Sequence, residues 1–328
     1  MKRKIAIVLV GIMCISASGC SFMKKSTVDV NTVSAEDIFT EISDDSAVEA
    51  SEVAETFTNA MSAVDSAENI TINVDNRIVM GDKEGKDYQS SISRSEIKKA
   101  KDGDNQIGNV DIKNSLEYTE SDETTGESTG KVQKEENNIS GYYSGDALYF
   151  ITNEGEKVVE EMTYDDFLSV VNTYGLSLFE DCISKAAAVE DKDGKTYYIS
   201  YDPSKFETTM NTNMEASGQT MADGEAMKVN YANIAAKVDG EGNLMGYAFA
   251  IDAEYVNDQG STPYNYSITA DFSDLGSTKV KAVKNTDDYM TAEEYTQKMQ
   301  NEANSGSESE SAEESSEAET AAEEESGN

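Results

Sequence analysis

Three cysteines and no histidine set the limits on the chemistry open to this chain of 328 residues. Without His it lacks the commonest general base, the commonest zinc ligand and every triad built on an imidazole. A pair of carboxylates can still work as acid and base, as in glycoside hydrolysis. Such sites sit in aromatic-lined clefts, and the chain has no Trp. It has no glycine-rich phosphate loop and no Gly-x-Ser-x-Gly. Asp191-Lys192-Asp193-Gly194 matches the opening of a calcium loop, but the acid that should close it is missing near Ser200. The flanking segments also read as strands where that loop requires helices, so a hairpin turn is expected. Asp165 and Asp166 stand at a helix start, where the macrodipole accounts for them. No enzymatic activity, no metal and no cofactor are expected.

Cys20 is the thiol whose setting is distinctive. Met1-Lys2-Arg3-Lys4 is basic, Ile5 to Ile15 is apolar, and Ser16-Ala17-Ser18-Gly19 supplies small residues before the Cys. Basic start, apolar run and small residues form the layout of an export signal. The run is well short of the roughly 20 residues that span a bilayer. Of the other cysteines, Cys14 lies inside this segment. Cys182 lies in an apolar stretch, Leu178 to Ile183, where a small buried hydrophobe is expected. With Cys14 removed and Cys20 modified, no disulfide can form within the chain.

The stretch Ala17 to Cys20 resembles the lipobox of bacterial lipoproteins. That resemblance implies cleavage before Cys20 and a diacylglyceryl group on its sulfur. The protein would then be extracytoplasmic and anchored to the outer face of the cell membrane. Two acyl chains give stable anchoring where one is marginal.

The formal charge is −38. Ala303 to Asn328 contributes nine Glu and no Lys or Arg, but most of the acidic excess is spread through the body of the chain. Nucleic acid is excluded as a partner, because its binding rests on Lys and Arg neutralising phosphates. Dispersed acids read first as a solvated surface. Residues 1–19 are assigned to the signal. Residues 20–45 form the lipidated Cys and a polar tether. Residues 46–290 are one folded domain, and 291–328 are a C-terminal segment ending in an acidic Ser/Glu tail too poor in apolar residues to fold.

Within the domain, Ser46-Ala47-Val48-Glu49 has the form of a capping box. Val53, Phe57, Ala60, Met61 and Val64 follow as one helical stripe. Ile70, Ile72, Val74, Ile78 and Met80 alternate as a strand. Tyr88 to Lys98 reads as a polar stretch with Ile92 and Ile97 as sparse anchors. Strands are expected around Val110 to Tyr118, Lys131 to Ile139, Ala147 to Thr152 and Lys157 to Met162. Thr163 caps a second helix bearing Phe167, Leu168, Val171, Tyr174, Leu178 and Ile183, with Gly175 as a break. A hairpin around Asp193-Gly194 leads to a third helix opened by Asp202-Pro203 and carrying Phe206, Met210 and Met214. Three strands close the domain: Lys228 to Val238, Leu244 to Tyr255 and Tyr264 to Phe272. This order is α+β, with a large antiparallel sheet and a few helices on its concave face.

An export signal, a tether, an amphipathic helix running into Asn69-Ile70-Thr71-Ile72-Asn73-Val74, and a closing Ile268-Thr269-Ala270-Asp271-Phe272-Ser273-Asp274-Leu275-Gly276 together resemble bacterial lipoproteins of the LolA-like fold. The mycobacterial LppX and LprG type belongs to this group. The resemblance spans Ser46 to Val283. It implies an open, curved half-barrel whose cavity is covered by helices, and carriage of a lipid or other hydrophobic ligand in the cell envelope. It further implies that Phe57, Met61, Val64, Phe167, Leu168 and Val171 line or plug that cavity, with Met210 and Met214 on an adaptable lid. The alternative on the same residues is ordinary core packing, which leaves a surface interaction module without a small-molecule ligand.

Overall fold

The computed structural model describes residues 44–81, 88–121, 128–216, 225–257 and 260–301. Cys20, the signal, the tether as far as Ser43 and the acidic tail lie outside the described residues.

Among the described residues, twelve strands form one open sheet. The first six are β1 (Ile70–Met80), β2 (Gln89–Asp102), β3 (Asn105–Ser121), β4 (Ser128–Ser144), β5 (Ala147–Ile151) and β6 (Lys157–Glu161). The rest are β7 (Ile183–Asp191), β8 (Gly194–Tyr201), β9 (Ala226–Val238), β10 (Leu244–Asn257), β11 (Gly260–Ser273) and β12 (Met290–Thr291). The order across the sheet is β12-β6-β5-β4-β3-β2-β1-β11-β10-β9-β8-β7. Neighbours are antiparallel except β12, which runs parallel to β6. The fold class is therefore the expected α+β, with a curved sheet that does not close into a barrel.

Among the described residues, three helices pack on one face: α1 (Ala50–Ser66), α2 (Tyr164–Val171) and α3 (Pro203–Ala216). A fourth, α4, covers residues 292–301. Strand pairing fixes which side chains face the helices. Residues directly opposite share a face and successive residues alternate, so Ile72 lies beside Ile97 on β2 and Phe272 on β11. Phe57 of α1 meets Tyr247 edge-on with ring centroids 6.0 Å apart. Phe167 of α2 stacks on Tyr143 at 4.9 Å, and Phe206 of α3 meets Phe249 at 6.1 Å. These contacts belong to one continuous apolar core.

Four local expectations are corrected. Ser46 does not cap α1: it ends a short 3-10 turn, and the helix begins at Ala50 with Glu49 as N-cap and no side-chain cap bond. Ala47 instead bridges Ala187 on the edge strand β7, diverting the chain from the capping geometry. The second helix stops at Val171, and 172–179 runs without regular structure across the sheet. Tyr174 is held there by its ring against Phe272 at 6.1 Å and by its carbonyl, which accepts the Tyr247 hydroxyl. The polar stretch from Tyr88 is the central strand β2, paired along its whole length with β3 and from Gln89 to Lys99 with β1 as well. Its serines satisfy the strand backbone without supplying the apolar alternation on which the sequence reading relied. Lys131 to Ile139 is only part of β4, which reaches Ser144.

Two expected caps are present. Thr163 and Asp166 form a reciprocal capping box on α2, and Asp202 Oδ1 accepts from the Lys205 amide at the start of α3. At the β7–β8 turn, the Asp193 amide donates to Asp191 Oδ1 at 2.8 Å, and Lys237 Nζ reaches Asp191 Oδ2 at 2.8 Å. Gly194 has φ +145, and a Cβ there would lie 2.0 Å from the Val238 carbonyl, so the turn requires glycine.

Past β11 the chain crosses the other face of the sheet. Thr278 meets Thr71 at 3.2 Å, and Asn109 Nδ2 donates to the Lys281 carbonyl at 2.9 Å. Tyr289 then meets Tyr149 edge-on at 5.4 Å. β12 and α4 follow, covering the β6 edge.

Candidate functional site

The helix-facing side of the sheet has two ends of different character. At the near end it is sealed. Ile70, Ile72, Val74, Ile97, Val110 and Ile112 are buried under α1, α2 and the 172–179 segment. Phe57, Met61, Val64, Phe167 and Val171 are buried in the same cluster, and Leu168 is half-buried against it. The geometry thus brings together the α1 and α2 residues singled out from sequence, packed against the sheet. Met210 is half-buried against the core from α3. Met214 lies on the same helix, and its side chain is outside the described residues.

Toward the far end burial falls off on every central strand. On β1, Ile78 and Met80 are half-buried, whereas Ile70 and Ile72 are fully covered. On β3, Leu116 and Tyr118 are half-buried after Val110 and Ile112. On β11, Tyr264 and Tyr266 are half-buried after Phe272 and Ala270. Register sets these residues side by side: Tyr266 opposite Ile78, Ile78 opposite Ser91, and Ser91 opposite Leu116. The next row is Tyr264, Met80, Gln89 and Tyr118. The result is a floor of apolar and aromatic side chains in the curve of the sheet, continuous with the core through Tyr266, whose ring meets Phe249 at 5.9 Å.

This floor was missed by reasoning from helical stripes. Its signal was present in the alternation of Tyr264, Tyr266 and Ile268 and of Ile78 and Met80, but partial burial is set by which elements stop short of it.

The electrostatics match an apolar surface. Burial pushes the Tyr266 phenol up to about 12, and burial also raises Tyr264. The charged residues of the same stretches point the other way. Arg94 pairs with Asp75 at 2.7 Å on the opposite face, which Arg77 and Lys113 share by alternation.

The remaining chemistry-bearing groups are occupied elsewhere. Cys182 is buried, with its sulfur 3.3 Å from Thr209 Oγ1. An open depression of about 480 Å³ beside it is lined by Asp181, Cys182, Ser204, Lys205, Thr208 and Thr209. Its lining side chains are mostly small and polar, and Lys205 Nζ donates to the Asp181 carbonyl. Among the described residues no cluster of His, Cys, Asp and Glu has the makings of a metal site, and no helix is long and apolar enough to cross a membrane.

No family model matches the chain, and no curated protein matches it. Among solved structures it is similar to a DUF1329 family protein from Desulfovibrio piger, at 8% identity over 72% of this chain and 96% of that one, with a TM-score of 0.19. A porin-like protein from Bacteroides uniformis matches at 6% identity over 63% and 98% of the two chains, with a TM-score of 0.13. Likeness of this degree assigns neither family nor function, and the site must be read from its own geometry.

Proposed function

We propose that this chain is a lipoprotein of the bacterial cell envelope, anchored through Cys20 to the outer face of the membrane. In this reading it binds or carries a hydrophobic or lipid ligand without transforming it. The observation that carries the reading is the far floor of the sheet. Ile78, Met80, Tyr264 and Tyr266 form a contiguous half-buried apolar surface inside the curve of an open sheet, with Leu116 across Ser91 from Ile78. Apolar surface of this kind, concave and bordered by a few polar groups, is the usual form of a small-molecule site.

The helices close the near end and act as a wall against which an acyl chain can stop. The −38 charge suits a solvated envelope protein and opposes nucleic acid.

The test is native mass spectrometry of the full chain released gently from membranes, with organic extraction of whatever accompanies it. A lipid retained near one per protein is the expected result. Ligand-free protein in repeated preparations would overturn the reading and leave a surface interaction module.

A further inference from the structure

The floor is crossed by a row of neutral polar side chains. Asn76 on β1 faces Ser93 on β2, Ser93 faces Asn114 on β3, and Asn114 faces Asn137 on β4. Four adjacent strands about 4.8 Å apart give the row a length of about 14 Å. It lies between the sealed core row, Val74 to Ile112, and the apolar row that contains Ile78 and Leu116. Asn76 bonds to the Tyr266 hydroxyl through its side chain, while its Oδ1 is shielded from solvent and accepts no hydrogen bond. A shielded amide oxygen without a donor is costly, and a ligand hydroxyl or amide would satisfy it.

Among the described residues, charge is absent from this part of the face. The helix-facing residues of β1, β2 and β3 in the row and the two rows beyond it are Asn76, Ser93, Asn114, Ile78, Ser91, Leu116, Met80, Gln89 and Tyr118, and none carries a charge at neutral pH, the Tyr118 phenol being held protonated by its bond to Glu135. The nearest charge on the same face is acidic, Glu135 opposite Leu116. An anionic headgroup placed here would be desolvated with no Lys or Arg among the described residues of this face to pair it and a carboxylate beside it, which is strongly unfavourable.

Resting on the function proposed above, we infer that the ligand's polar end is uncharged and rich in hydrogen-bond donors. It would lie along Asn76, Ser93, Asn114 and Asn137 with its hydrocarbon on Ile78, Met80, Tyr264 and Tyr266. The floor selects a neutral, hydroxyl-bearing lipid over an anionic phospholipid.

The experiment presents the full chain in detergent micelles with two probes of identical acyl chains, dioleoylglycerol and dioleoyl phosphatidylglycerol. Retention is measured by native mass spectrometry in competition. The expected result is a preference of about tenfold or more for dioleoylglycerol, equivalent to about 1.4 kcal/mol. Asn76→Leu with Ser93→Val should erase the preference for dioleoylglycerol over an alkane of equal length. Ser93→Lys should raise retention of phosphatidylglycerol. Equal or greater binding of phosphatidylglycerol by the wild-type chain would overturn this inference and leave the proposed function standing. Retention of neither lipid, nor of the alkane, would overturn both.

Discussion

Lys99 Nζ donates to the Val64 carbonyl at 3.1 Å and to the Asp65 carbonyl at 3.2 Å. The lysine rises from the helix-facing side of β2 and is buried under the last turn of α1. It satisfies the Asp65 carbonyl at the open helix end, adds a second donor to the Val64 carbonyl, which also accepts the Ala67 amide at 3.2 Å, and places a cation at the negative end of the dipole. Burial lowers its pKa, with Asp65 opposing. The sheet thus grips the helix by its C-terminus, where α1 turns into β1.

Lys99→Ala should cost about 2 to 3 kcal/mol of stability, because it removes the lysine donor from the part-buried Asp65 carbonyl and opens a void. Lys101→Ala, which removes an exposed ion pair with Glu68 at 2.8 Å, should change stability little. Urea denaturation followed by circular dichroism distinguishes the two.

Gly108 lies under the ring of Phe167. A Cβ at this position would stand 2.7 Å from Phe167 Cε1 and 3.2 Å from the Lys98 carbonyl. Gly108→Ala should therefore destabilise by about 1 to 3 kcal/mol through overpacking. Phe167→Leu in the same chain should recover part of that loss, because the two sites share one volume. Additive losses in the double-mutant cycle would show that the contact is not what limits the site.

The Phe167 contact also shows how far the sequence could be read. The helical spacing and cap made α2 and its buried face legible before any coordinates. That its ring rests on a glycine of β3 was not legible, because pairing between strands distant in sequence decides which residue lies beneath it. The same holds for β2. Ser90, Ser91, Ser93 and Ser95 hide a central strand from a hydrophobicity pattern, yet the neighbours β1 and β3 supply both ladders. Met210 was singled out as part of a lid. The floor residues Tyr264 and Tyr266 were read only as strand, since their partial exposure depends on where the helices end.

Alkaline pH should weaken the fold. Tyr143 is pushed up to about 12 by burial, with Asp146 adding to the rise, and Tyr266 up to about 12 by burial. Burial also raises Tyr174, Tyr201 and Tyr247. The folded state holds protons that the unfolded state releases near pH 10. Stability is therefore fully present below about pH 10 and lost as pH rises toward 12. Lys99, with its lowered pKa, works in the opposite sense below its unfolded value, and the tyrosines outnumber it. Phenolate absorbance and denaturation midpoints followed together from pH 9 to 12 should move in step.

Ile78→Gln with Leu116→Gln should leave the protein folded while reducing retained lipid several-fold, since both positions are only half-buried. Ile72→Ala in the sealed row should instead cost about 2 to 5 kcal/mol. Lipid per protein after extraction, set beside a thermal melt, separates a lining residue from a core residue.

Cys20→Ala should shift the protein from the membrane pellet to the soluble fraction in the producing cell. Retention in the pellet would overturn the anchor.

The strand order has a kinetic consequence. β1 to β6 and β7 to β11 are each a run of strands paired with their chain neighbours, and one antiparallel pair, β1 with β11, joins the two runs. Thr71 opposite Ser273 marks a chain separation of about two hundred residues, while the hairpins form locally. Each half can assemble early and independently, and the loop-closing union of β1 and β11 comes last. Substitutions along that seam should slow folding more than equally destabilising ones inside either half. The protein would then wait, during its synthesis, with two exposed strand edges until the C-terminal half arrives to cover them.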